Sequence, residues 1–128
     1  MFKVELGDKR RHVLLTIDLA GSTPLFEQIA AAVRRGILEG TIHSGERMPP
    51  AAELSASLDV NRNTVLHAYQ LLRDEGLLEL RRGRGATITV KADSLRGLSA
   101  AMSRLITQAR DLGVSADALA SLVKESYA

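Results

Sequence analysis

Three stop signals cut residues 24–90 into pieces so short that few folds can accommodate them. Gly40 closes an amphipathic stretch in which Leu25, Ile29, Val33 and Ile37 recur every fourth residue, with Phe26 and Ala30 beside them. That is the spacing of one helix face. Thr23 and Pro24 precede it and read as its N-cap and first helical residue. Asp59-Val60-Asn61 then separates a short helix, Ala51 to Leu58 behind Pro50, from a longer one running from Arg62 to about Glu75. Asp59 can take the left-handed backbone that so tight a turn needs, and Asn61 is an N-cap with Thr64 at the third helical position. Gly76 stops this third helix, whose buried face is Val65, Ala68, Tyr69 and Leu72 with Leu71 flanking.

Outside the helices the pattern is different. Leu77 to Arg82 and Ala86 to Val90 read as strands joined by Gly83-Arg84-Gly85, whose glycines permit the positive φ angles of a hairpin. Thr41 to Pro50 reads as a turn-rich link, Val13 to Leu19 as a short strand, and residues 1–12 as a loose, charged arm. After Lys91 the stripe Leu95, Leu98, Met102, Leu105, Ile106, Ala109 and Leu112 predicts one helix capped by Asp93 or Ser94. Gly113 stops it, and Ser115 caps a last helix with Leu119, Leu122 and Val123 on one face. Two such short helices cannot bury both stripes alone, so they require a partner surface, either the preceding domain or a second subunit.

Composition removes several classes of function. The chain has no cysteine, which excludes disulfides, zinc–thiolate sites and Cys nucleophiles. Aromatic residues are 3%, too few for a base-stacking single-strand binder. The longest apolar runs, such as Ile29 to Val33, fall far short of the ~20 residues that span a bilayer. The charged N-terminus does not read as a signal peptide, so a soluble cytoplasmic protein is expected. His12, His43 and His67 have no metal-ligand spacing, no Gly-x-Ser-x-Gly elbow is present, and Asp74-Glu75 sits at a helix end. No catalytic set, metal or cofactor is therefore expected. The net charge is only +2, yet residues 80–91 hold Arg81, Arg82, Arg84 and Lys91 and no acid.

Helix, short helix, tight turn, helix and basic hairpin is the order of a winged helix-turn-helix. In that geometry the second helix of the pair enters the major groove by its N-terminal end, and the wing contacts backbone or minor groove. The end in question reads Asn61-Arg62-Asn63-Thr64. It offers a guanidinium for guanine or phosphate and amides suited to adenine edges. A generic cap accounts for Asn61 but not for Arg62 and Asn63 in the same turn. His67 is a further candidate for phosphate.

Residues 23–90 resemble the DNA-binding domain of GntR-type bacterial transcription regulators. The resemblance is carried by Pro24-Leu25-Phe26-Glu27-Gln28-Ile29, Gly45-Glu46-Arg47-Met48-Pro49, Glu53-Leu54-Ser55, Val60-Asn61-Arg62-Asn63-Thr64-Val65, Leu72-Arg73-Asp74-Glu75-Gly76-Leu77 and Arg81-Arg82-Gly83-Arg84-Gly85. The brevity of residues 92–128 is similar to the YtrA-type subfamily, where two helices after the wing serve dimerisation. The resemblance implies a homodimeric repressor on an inverted-repeat operator, controlling transporter genes and its own gene. Three departures stand out. Pro50 and Ala52 occupy the positions of the usual capping serine and DNA-contacting arginine, and Leu66 replaces a frequent basic residue.

The expectation is thus a mainly α chain with a small β-hairpin. Residues 1–22 form an arm and short strand, 23–91 a winged helix-turn-helix, and 92–128 a two-helix dimerisation segment. DNA contacts are assigned to Asn61, Arg62, Asn63, Thr64 and His67, with Arg81, Arg82, Gly83 and Arg84 on the wing. The dimer interface is assigned to Leu98, Met102, Leu105, Ile106, Leu119, Leu122 and Val123. The partners are double-stranded DNA and a second copy, with no membrane. Residues 92–128 show no evident ligand chemistry, so a small apolar effector and release by concentration alone both stay open. The alternative function is a winged-helix protein-interaction module with only weak DNA binding.

Overall fold

A computed structural model describes residues 2–6, 13–18, 21–82 and 85–127. It divides into two units, Met1–Gly97 and Leu98–Ala128. The first is built on α1 (Leu25–Glu39), α2 (Ala51–Leu58) and α3 (Arg62–Asp74). Ile29, Val33 and Ile37 of α1 are fully buried, as are Leu54 and Leu58 of α2 and Val65, Ala68 and Leu72 of α3. Burial of a Leu, Ile or Val side chain stabilises by about 1.5–3 kcal/mol, so this seam dominates the unit. Arg34 of α1 clasps Glu75 at the C-terminal end of α3 through two bonds, Nε to Oε1 at 2.7 Å and Nη2 to Oε2 at 2.6 Å.

The helix boundaries follow the punctuation. Asp59 adopts φ 54°, the left-handed region, and is the one non-glycine residue among those described to do so. The Asn61 side chain accepts from the backbone N–H of Asn63 at 2.8 Å. At α1 the cap is displaced by one residue: Pro24, not Thr23, is the N-cap, and Leu25 begins the helix. Pro50 is the N-cap of α2 and supplies no side-chain hydrogen bond.

The sheets exceed expectation. Arg47–Met48 forms β3 inside the stretch read as a link, and pairs with β5 (Gly85–Ile88), which pairs with β4 (Leu78–Arg81). The wing is therefore a three-stranded antiparallel sheet in the order β3-β5-β4 rather than a hairpin alone. The arm holds β1 (Phe2–Leu6), antiparallel to β2 (Val13–Ile17), where the charged sequence had indicated no regular structure. The end of β2 is fastened to α1 by one amide. Gln28 accepts from the Asp18 backbone N–H at 2.7 Å and donates to the Asp18 and Thr23 carbonyls, each at 2.9 Å.

After the wing the expected continuous helix is interrupted. α4 (Lys91–Arg96) ends at Gly97, and α5 (Ser99–Asp111) begins after Leu98. Asp93 and Ser94 lie inside α4 rather than capping it. Contacts explain the break. Ala92 is fully buried in the first unit's core, Ser44 donates to Asp93 at 2.8 Å, and Arg96 donates to the carbonyls of Ile37 and Ile42 at 3.3 and 3.4 Å. Carbonyls in the last turn of a helix lack intrahelical donors, and Arg96 serves one of them. α4 thus belongs to the first unit. α5 and α6 (Ala116–Ser126) form the second, with Ser115 accepting from the Ala118 N–H at 3.1 Å as the cap of α6. Among the described residues, no helix is long and apolar enough to cross a membrane.

Tyr69 joins α3 to the strand-to-helix segment before α2. Its hydroxyl donates to the Pro49 carbonyl at 2.6 Å, and the ring is 2% exposed. Burial, with the negative charge of Glu53 adding, pushes the phenol well above its ordinary range. Tyr69→Phe is expected to lower stability by about 1–2 kcal/mol at neutral pH in denaturant unfolding. The raised folded-state value means that Tyr69 favours folding fully below the unfolded tyrosine value near 10, and that this contribution falls as pH climbs above it. The gap between wild type and Y69F should therefore narrow above about pH 10.

Candidate nucleic-acid interface

With Val65, Ala68, Tyr69 and Leu72 turned inward, helical periodicity leaves Arg62, Asn63, His67 and Gln70 on the outer side of α3. The Asn61 cap spends its side-chain oxygen on the backbone, and its amide remains exposed. Arg62 and Asn63 are exposed in the first turn, and the guanidinium of Arg62 has no protein partner among the described residues. Thr64 is half-buried. This turn contains no acidic residue, so nothing on the helix offsets the positive N-terminal end of its dipole. His67 is exposed and stacks on Phe26 of α1, with ring centroids 3.8 Å apart and planes 15° from parallel.

On the wing the cations differ in availability. Arg81 is exposed but bonded to Glu79 at 2.8 Å. Arg82 is exposed, with no protein partner among the described residues. Gly83 and Arg84 lie outside the described residues. Gly85 takes φ 73°, which a side chain would strain, and so opens β5 from the turn. The strand β3 adds a cation that reading residues 41–50 as a link leaves out. Arg47 is exposed and lies opposite Thr87, which in turn lies opposite Glu79. A two-residue strand has too little alternation to be recognised in sequence. The departures noted above also have structural counterparts: Leu66 packs half-buried against the core, and Ala52 is exposed in the first turn of α2.

The second unit has a different surface. Leu98, Met102, Leu105, Ile106, Leu122 and Val123 are all exposed large apolar residues, and Leu119 is half-buried. Met102, Leu105, Ile106, Leu119 and Val123 line a groove of about 690 Å³ between α5 and α6, rimmed by Arg110, Lys124 and Tyr127. Leu98 and Leu122 are exposed outside that groove.

Comparison with known proteins agrees with this geometry. Residues 25–88 match the model of bacterial regulatory proteins of the gntR family. The HTH-type transcriptional repressor YtrA of Bacillus subtilis is 32% identical over 118 residues, covering 88% of this chain and 91% of the relative. The HTH-type transcriptional regulator Rv1152 of Mycobacterium tuberculosis is 33% identical, covering 79% of this chain and 84% of the relative. Among solved structures, YtrA from Sulfolobus acidocaldarius, a GntR-family transcription factor, superposes with a TM-score of 0.55 at 32% identity over 73% of this chain and 97% of the other. A GntR-family regulator from Listeria monocytogenes shares the fold, with a TM-score of 0.60 at 24% identity over 84% and 98%. These relatives are transcription regulators, not enzymes.

The cap and the exposed turn can be separated by substitution. Asn61→Ala should cost about 1 kcal/mol of stability in thermal or denaturant unfolding, whereas Asn61→Asp, also a strong N-cap, should fold as stably as wild type.

Proposed function

The chain belongs to the gntR family of bacterial regulatory proteins, as a transcription regulator with a winged-helix DNA-binding domain, and we propose that it is a homodimeric repressor binding an inverted-repeat operator. The observation that carries this reading is the exposed, unpaired Arg62 beside Asn63 at the N-terminal end of α3. A guanidinium there can pair with a guanine edge in the major groove, and the amide of Asn63 with an adenine edge. Thr64, the amide of Asn61 and His67 extend the same end of the helix. Arg82, with Arg81, Gly83 and Arg84, supplies the wing's contacts to phosphate or minor groove. A protein-interaction wing would not require cations, which weighs against the alternative of a module with weak DNA binding.

The dimer rests on the second unit. Two helices of 13 and 11 residues with most of their large apolar side chains exposed gain too little from their own contacts to stay folded alone. A second copy covering Leu98, Met102, Leu105, Ile106, Leu119, Leu122 and Val123 meets that need. Two-fold symmetry then places two reading helices on one face of DNA, and the operator mirrors it as an inverted repeat. Repression is inferred from similarity to a repressor of nearly the same length, and control of transporter genes and its own gene from the subfamily resemblance. Action on chromosomal DNA places the protein in the cytoplasm. Release is governed by an unidentified small apolar effector or by protein concentration alone.

Arg62→Ala should weaken binding to a selected operator by about 1–3 kcal/mol while changing unselected duplex far less. Equal operator binding by both proteins, measured in a gel shift, would sink the assignment. Arg82→Ala should weaken all duplexes alike and reduce the slope of log affinity against log salt by about 1. Leu105→Glu should yield a monomer in sedimentation with poor DNA binding, and a wild-type monomer at micromolar concentration would reject the dimer.

A further inference from the structure

We propose that Phe26 is a positioning residue for DNA contact: its ring holds the His67 imidazole in a fixed plane, so that α1 presets a side chain on the reading helix. The inference rests on the DNA-binding reading above. At 3.8 Å between centroids and 15° between planes, the two rings overlie each other almost face to face. Isolated aromatic pairs prefer offset or edge-to-face arrangements, so this overlap is imposed by where α1 and α3 place the two rings. The Phe26 ring is itself anchored, because it packs half-buried against the core. His67 is exposed one helical turn beyond Asn63, and neither of its nitrogens has a protein partner among the described residues. The ring is therefore ordered by one face while its hydrogen-bonding edge remains unused.

A side chain ordered before its ligand arrives avoids the cost of being immobilised on binding, which corresponds to about three- to tenfold in affinity. The position fits phosphate better than a base edge. His67 is one turn deeper along α3 than Asn63, behind the N-terminal residues that face base edges in such a motif, and it lies beside Phe26 in the first turn of α1. A Phe beside a buried helix face ordinarily only fills space, and Phe26 does pack against the core. The stack gives this ring a second task, connecting the interior to the reading surface.

The test uses the full chain and fluorescence anisotropy with two labelled duplexes, one selected from a random pool by the wild-type protein and one unselected. Phe26→Leu and His67→Ala should each weaken binding about three- to tenfold, and the double variant should be no weaker than H67A. Phe26→Tyr, which keeps the ring, should bind within about twofold of wild type. His67→Phe keeps a stack but has no nitrogens, and should fall as far as H67A even if F26L fails to fold. Wild-type affinity in F26L or in H67F overturns the inference, as does a double variant whose loss is the product of the two single losses. A wild-type chain that binds neither duplex overturns the DNA-binding reading itself and this inference with it.

Discussion

Everything functional in this chain depends on the seam between α1 and α3. Ile29, Val33 and Ile37 meet Val65, Ala68 and Leu72 in a layer closed to water. A helix has one circumference, so burying one side of α3 decides which residues the other side presents. The Arg34–Glu75 clasp secures the far end of the seam, and the Tyr69–Pro49 bond holds α2 at the near end. The N-terminal turn of α3 projects from a base that cannot rotate without breaking the core. The recognition proposed for Arg62 would require a base of this rigidity, since freedom at the helix would be multiplied along so long a side chain.

The helices of the first unit were legible because each carries its own boundary chemistry. Asn61 must bond to the following turn, Asp59 must take a left-handed backbone, and Gly40 ends α1 with φ 79°. These are local effects, complete within a few residues, and a single sequence contains them. The make-up of the first turn of α3 was legible for the same reason, since a capped end fixes which residues occupy it. What escaped was decided by distant partners. β3 exists because Arg47 and Met48 meet Thr87 and Ala86, and β1 because it meets β2. The stripe from Leu95 to Leu112 has helical spacing throughout, yet Ala92, Asp93 and Arg96 are held by the first unit and the helix divides at Gly97. Periodicity records which side of a helix is apolar but not which surface it will meet.

Charge shows the same dependence on place. Arg81 and Arg82 are neighbours in a basic run, but Glu79 engages the first and leaves the second free. Alternation along a strand puts Glu79 and Arg81 on one face, where they meet. A count of cations therefore overstates how many are available to a polyanion. The modest net charge of +2 is compatible with the proposed local recognition, because among the described residues Arg62 on α3 and Arg82 just after β4 are exposed without a protein partner. Ala52, at the position where the family resemblance puts an arginine, leaves the first turn of α2 without that cation.

The Tyr69 hydroxyl, described above as a link between α2 and α3, has a consequence for observing the molecule. The chain has no tryptophan and two tyrosines, Tyr69 buried in the first unit and Tyr127 86% exposed on the rim of the second unit's groove. No indole is present to absorb their emission. The native chain thus carries one tyrosine in each unit, in contrasting environments. Unfolding of the first unit and events at the helical pair therefore have separate tyrosine signatures without any label being attached.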